Sequence, residues 1–227
     1  MPAVWAIVVA AGRGERFGGD AAGPAKQFLP LDDARVVDHA VRTATSACDA
    51  VVLVLAPGAT WDGAPVAAVV DGGATRSQSV RRGLDAVPAD AEVVVVHDAA
   101  RPLATAALFD AVTAAVRAGA DGAVPGVPVA DTVKRVESGE VRGTVPRDDL
   151  VAVQTPQAFR AAALRDAHRA GGEGELPDAT DDAALVEAGG GRVVVVAGEP
   201  HNRKITTADD LLVARALLHR VPGAEAS

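Results

Sequence analysis

Residues 6–31, AIVVAAGRGERFGGDAAGPAKQFLPL, begin as a short apolar run and open into a glycine-rich segment. Val4 to Val9 is continuous and β-branched, the pattern of a strand buried on both faces. A glycine-rich loop after such a strand brings backbone N–H groups close to phosphates, and several fold classes use one. The dinucleotide-binding class needs a helix to start inside the glycine motif and an acidic residue about twenty positions later. Here the spacing is Gly12-x-Gly14-x3-Gly18, and Gly18, Gly19, Gly23 and Pro24 form a series that cannot propagate a helix. The second strand also ends in Ala56-Pro57-Gly58, without a carboxylate at its tip. A P-loop fails as well, because Asp20 stands where its lysine belongs. What remains is a long loop whose glycine N–H groups can nest an anion, with Arg13, Arg16 and Lys26 adding positive charge. An exposed loop with ordinary surface cations is the plain alternative.

Outward from this loop the chain alternates. An amphipathic helix is expected at about Val36 to Ala47, then a strand at Ala50 to Leu55 and another at Val66 to Val70. A helix from Thr75 to Ala86, with Thr75 or Ser77 as N-cap, precedes a strand at Glu92 to Val96. Further helices are expected at about Leu108 to Ala118, Arg160 to Ala170 and Thr207 to His219, and a strand at Val193 to Val196 after Gly189-Gly190-Gly191. This rhythm is that of an α/β fold, a mostly parallel sheet with helices on both faces and ligands at the carboxyl ends of its strands. One segment departs from it. ADTVKRVESGEVRGTV, within Val129 to Val145, pairs two short β-like runs across Ser138-Gly139 and reads as a hairpin too polar for the core. It is either a projecting β-arm that touches a second subunit or a solvated surface hairpin.

No linker or repeat divides the 227 residues, so a single domain over 1–227 is expected. Aromatic residues make up 3% and tyrosine is absent, so the core must be built from Val, Ala and Leu. A formal net charge of -8 argues against nucleic acid or an anionic membrane as partner, yet focused cations in a cleft still allow a small anionic substrate. Cys48 is the only cysteine, which leaves no disulfide framework and no thiolate zinc site. Only Met-Pro-Ala precedes Val4 and no apolar run approaches ~18 residues, so a cytoplasmic protein without membrane span or signal peptide is expected.

Two features point to chemistry. Nineteen of the 22 cationic residues are arginine, and the three lysines, Lys26, Lys134 and Lys204, stand in GPAKQF, DTVKRV and PHNRKITTADD rather than on the outer faces of long helices. Lysine is a compact point charge suited to a phosphoryl oxygen, whereas arginine suits bidentate clamping. The second feature is HDAARP, His97 to Pro102, which puts Asp98 at the carboxyl end of a strand. Asp98 there either holds a nucleotide-bound Mg2+ or caps the following turn, and Arg101 can clamp an anion. His97 reads as a support for that turn rather than a proton carrier.

In order along the chain, AAGRGERF with PAKQFL, DGGATRSQSV, VHDAARP, PVADTVKR, TPQAF, DATDDAALVE and NRKITTADDL cover nearly its full length. Together they resemble the 2-C-methyl-D-erythritol 4-phosphate cytidylyltransferases of the non-mevalonate isoprenoid pathway. The resemblance implies a Rossmann-like nucleotidyltransferase fold and a homodimer formed through the β-arm at about 129–150. It implies that Ala10, Ala11, Gly12, Gly14 and Arg16 wrap CTP, and that Gly73, Ala74 and Ser79 line the cytosine and ribose pocket, with Ala99 also on the nucleotide. The family often carries an acid where Ala74 stands. Asp98 would bind Mg2+ and lie near the substrate, while Arg101, Thr132, Arg147 and Thr155 would hold the methylerythritol phosphate, Thr132 and Arg147 from the partner's arm. Lys26, Lys204 and Arg16 would carry catalysis. The alternatives are a D-ribitol 5-phosphate cytidylyltransferase, on a similar small polyol phosphate, and a nucleotide-binding regulator without catalysis.

Overall fold

The computed structural model describes residues 3–12, 25–170 and 181–219. Strand β1 (Val4–Ala10) leads to a 3-10 turn (Lys26–Phe28) and a small hairpin, β2 (Pro30–Leu31) with β3 (Ala34–Arg35). Then come α1 (Val36–Ala47), β4 (Ala50–Leu55), β5 (Ala68–Asp71), α2 (Arg76–Asp85), β6 (Val93–Asp98), α3 (Ala106–Arg117) and β7 (Gly122–Pro128). The chain continues through β8 (Val133–Glu137), β9 (Glu140–Val145), β10 (Val151–Val153), β11 (Gln157–Arg160), α4 (Ala161–Ala170), α5 (Asp182–Ala188), β12 (Val193–Ala197) and α6 (Ala208–Leu218).

The main sheet runs β10-β7-β11-β6-β1-β4-β5, and β12 pairs with β7. β1 is parallel to both β4 and β6, β4 to β5, and β12 to β7, while β10 and β11 run antiparallel. The period-two alternation of the strands splits the core between two faces. Ala6, Val8, Leu53 and Val95 pack under α1 and α3, and Ile7, Val52, Val54 and Val94 pack under α2, α4 and α5. With small Val and Ala side chains at most of these positions, few aromatic rings are needed, and Phe109 and Phe159 supply the bulk. A third cluster, Leu31, Val36, Ile205 and Ala214, docks α6 and the loop before it.

The observed elements differ from the expected ones where glycine and proline obscure the pattern. β7, GAVPGVP, was not expected, because two glycines and two prolines break a strand signal. The structure explains Gly126: an added Cβ would stand 2.7 Å from Val195 and 2.9 Å from Val151, so strands crowd it from both edges. β10 and β11 were also not expected, being only three and four residues long. Thr75, not Ser77, caps α2, its hydroxyl accepting the Gln78 N–H. The hairpin β8–β9 forms its own two-stranded sheet, so it is a projecting arm. Ser138 and Gly139 both have positive φ, 50° and 81°, as a tight two-residue hairpin turn demands.

Candidate active site

The carboxyl ends of β1, β4, β5 and β6 open into one cleft of about 830 Å3, the size range of a nucleotide pocket. Ala10, Ala11 and Gly12 continue β1, and Gly72, Gly73 and Ala74 link β5 to α2. Gln27 fixes the floor: its buried amide donates to the carbonyls of Ala10 at 2.6 Å and Gly12 at 2.8 Å. Ser79 braces the second loop, its hydroxyl accepting the Gly73 N–H and donating to the Thr75 carbonyl. Gly72 is required by close approach, since a Cβ there would collide with that of Ala11.

Charge concentrates here. Among the described residues lining the cleft, Lys26, Arg76, Arg82 and Lys204 are cationic and Asp98 is the one carboxylate. Within a chain of net charge -8, this is a local positive well of the kind that attracts a polyanion. Asp98 does not cap its turn. Its Oδ1 accepts Arg76 Nε at 3.2 Å and its Oδ2 accepts Lys204 Nζ at 2.7 Å. Burial alone would raise its pKa, but Arg76, Lys204 and Arg101 outweigh that and hold the carboxyl well below the usual carboxylate range. Asp98 is therefore ionised at neutral pH.

Behind the cleft floor, polar side chains hold Asp98 in place. Thr155 Oγ1 accepts the Asp98 N–H at 3.0 Å and lies 3.1 Å from His97 Nδ1. His97 Nε2 faces the Arg101 carbonyl at 3.2 Å. A neutral imidazole protonated on Nε2 satisfies every partner: it donates to Arg101 and accepts the Thr155 hydroxyl proton. Burial, opposed by Asp98, pushes the His97 pKa down to about 4.

A family model for 2-C-methyl-D-erythritol 4-phosphate cytidylyltransferase, IspD, matches residues 4–220. The chain belongs to this family. A cytidylyltransferase of Streptomyces avermitilis is 42% identical over 95% of this chain and 91% of its own length. The crystal structure of the Thermus thermophilus cytidylyltransferase superposes with a TM-score of 0.79 at 35% identity, covering 95% of this chain and 98% of that one. A bifunctional IspD/IspF enzyme of Clavibacter michiganensis subsp. michiganensis is 46% identical over 98% of this chain and 56% of its own length. This chain thus spans a little over half of the bifunctional relatives it matches.

The cytidylyltransferase motifs fall unequally around the cleft. Ala10, Ala11, Gly12, Lys26, Gly73, Ala74, Ser79, Asp98 and Lys204 line it. Gly14 and Arg16 lie outside the described residues. Ala99 is buried in the core with its N–H on the Val9 carbonyl, and its neighbour Ala100 reaches the cleft instead. Thr155 is buried beneath Asp98, and Arg101 runs to the carbonyls of Asn202 and Val153. Thr132 and Arg147 stand exposed at the root of the arm, away from the cleft of their own chain. Lys134, the third lysine, crosses the arm to Thr144 at 2.6 Å.

Sequence reasoning passed over Arg76, as it did Gln27 and Arg82. Arg76 opens α2 one position after the cap, where a cation opposes the helix dipole. That placement was the available signal, because such a cation needs fixed anions. It has two: Asp98 and, at 2.6 Å from Nη1, the fully buried Asp182 of α5, whose other oxygen lies 3.0 Å from His168 Nε2.

Proposed function

We propose that the chain is one nucleotidyltransferase unit that couples CTP to 2-C-methyl-D-erythritol 4-phosphate, forming 4-diphosphocytidyl-2-C-methyl-D-erythritol and releasing pyrophosphate. The observation that carries this reading is the cleft itself, lined among the described residues by four cations and one ionised carboxylate, in a family of cytidylyltransferases. A phosphate oxygen of the polyol attacks the α-phosphorus of CTP in line, a new P–O bond forms, and the bond to the β-phosphate bridge breaks. That oxygen is already ionised near neutral pH, so no general base is required. Positioning and preorganised positive charge do the catalysis.

In this reading the glycines of both loops present N–H groups to the nucleotide, and Ala74 contributes backbone alone. Lys26 and Lys204 take the phosphate oxygens, Lys204 exchanging Asp98 for the α-phosphate, with Arg16 joining them. Mg2+ commonly uses one or two carboxylates and fills its octahedron with water and substrate phosphates. One ionised Asp98 in a phosphate-sized cleft fits that mode, and among the described residues no group of three His, Cys, Asp or Glu could hold an ion by itself. Bound there, Mg2+ would neutralise charge on the triphosphate.

The polyol phosphate lies on the Arg101 side of Asp98, near Thr155, and a second copy of the chain supplies Thr132 and Arg147 from its arm. Exposed apolar surface on the arm and beside it supports this homodimer: Val136 and Val141 are 55% and 61% exposed, Val151 and Val153 39% each. Among the described residues no helix is long and apolar enough to cross a membrane, and we place the enzyme in the cytoplasm.

The test is pyrophosphate release with CTP, Mg2+ and either methylerythritol phosphate or ribitol 5-phosphate. Turnover is expected with the first, and a clear preference for ribitol phosphate would sink the substrate assignment.

A further inference from the structure

Lys204 belongs to a loop with no regular structure between β12 and α6, yet its ammonium must meet a phosphoryl oxygen to within a few tenths of an ångström. The loop is held at two points. On one side of Lys204, Ile205 donates its N–H to the Ala100 carbonyl at 2.8 Å and buries its side chain. On the other side stands Asn202, a fully buried amide two residues before the lysine.

The Asn202 Nδ2 donates to the Thr155 carbonyl at 2.9 Å and approaches Gln154 Oε1 at 3.4 Å. Gln154 answers across the same junction. Its Nε2 donates to the carbonyls of Glu199 at 2.8 Å and Asn202 at 3.2 Å, while its Oε1 accepts the Glu199 N–H at 3.1 Å. Thr155, whose carbonyl Asn202 grips, is the residue whose hydroxyl holds the Asp98 N–H. The Asn202 carbonyl also accepts Arg101 Nη1 at 2.7 Å. One buried pair of amides therefore joins the Lys204 loop to the segment that fixes Asp98, and the main-chain carbonyl of Asn202 ties Arg101 to the same junction.

We propose that Asn202, with Gln154, is a positioning residue that sets the distance of Lys204 from the α-phosphate. This rests on the cytidylyltransferase reading above and on the role given there to Lys204. Asn202 is not among the described residues that line the cleft; it acts through the lysine. Freed from Thr155, the loop keeps its Ile205 anchor but lets Lys204 drift, and a displacement of about 1 Å is enough to cost on the order of 100-fold in rate.

The deciding experiment is a double-mutant cycle on kcat, with folded fraction checked by circular dichroism and Mg·CTP affinity by calorimetry. Asn202→Ala is expected to lower kcat about 10- to 100-fold with CTP affinity changed less than about threefold. In a Lys204→Ala background the same substitution should cost less than about threefold more, because the lysine through which it acts is gone. Additive losses would overturn the inference and leave the function intact. Full turnover by Lys204→Ala would overturn the role of Lys204, and the inference with it. If Asn202→Ala does not fold, Gln154→Met removes the same junction from the other side, and additivity of Gln154→Met with Lys204→Ala overturns the inference equally.

Discussion

Lys204 Nζ stands 2.7 Å from Asp98 Oδ2, so the cation proposed for the α-phosphate rests on the carboxylate proposed for the metal. The pair neutralises both groups until substrate arrives. Because Lys204 is 41% exposed, the ion pair contributes at most about 1 kcal/mol to folding. Lys204→Ala should therefore melt close to the parent protein while losing about 100- to 1000-fold in turnover. Calorimetry and pyrophosphate release on the same sample separate the two effects, and a large drop in stability with normal turnover per folded molecule would contradict this.

Arg76 bridges two carboxylates, one in the cleft and one fully buried. Arg76→Ala leaves the buried Asp182 with His168 among the described residues, and breaking a buried pair typically costs about 3–5 kcal/mol. Arg82, whose guanidinium donates to the Gly72 and Asp71 carbonyls among the described residues, should cost about 1 kcal/mol when truncated. Urea unfolding of both variants checks the order, which equal losses would refute.

Gly72→Ala drives a methyl group into the Ala11 side chain and to within 2.9 Å of the Ser79 hydroxyl, so the two nucleotide loops must part. Gly12 has open space where its Cβ would go. Gly72→Ala should lower CTP affinity at least about tenfold and Gly12→Ala should leave the fold unchanged, as measured by titration calorimetry and thermal unfolding.

His97 is buried and neutral, with its pKa pushed down to about 4 from an ordinary 6.5. Between these values the unfolded chain binds a proton that the folded chain refuses. Its stabilising effect is complete above pH 6.5 and is lost as pH falls towards 4, at roughly 1.4 kcal/mol per pH unit. The depressed Asp98 adds a loss of the same sign at lower pH. Stability measured in urea at pH 7.5 and 5 should fall steeply, and His97→Asn should flatten that slope.

Arg147→Ala should chiefly raise KM for the polyol phosphate, because its guanidinium, tied among the described residues to the Ala130 carbonyl at the arm root, is proposed to serve the other subunit. An unchanged KM removes it from the site.

Some of this molecule is local and was readable. Helix α1 was expected at the residues where it lies, Val36–Ala47, because its amphipathic period and flanking strands need no distant partner. Ser138-Gly139 announced the arm for the same reason, a turn whose positive φ values those two residues tolerate. β7 was hidden because Gly126 answers to Val195 and Val151 and Gly122 to Phe159 and Val193, on strands that reach it only in the folded sheet.

The site divides likewise. The scarcity of lysine singles out Lys26, Lys134 and Lys204, a property of the chain order alone, and two of the three line the cleft. That Arg76 meets Asp182, and that Lys204 meets Asp98, each across 106 residues, only the tertiary structure decided. Conformational preference acts between neighbours along the chain. Electrostatic pairing depends on distance in space, and packing the two helical layers onto the sheet is what creates that distance.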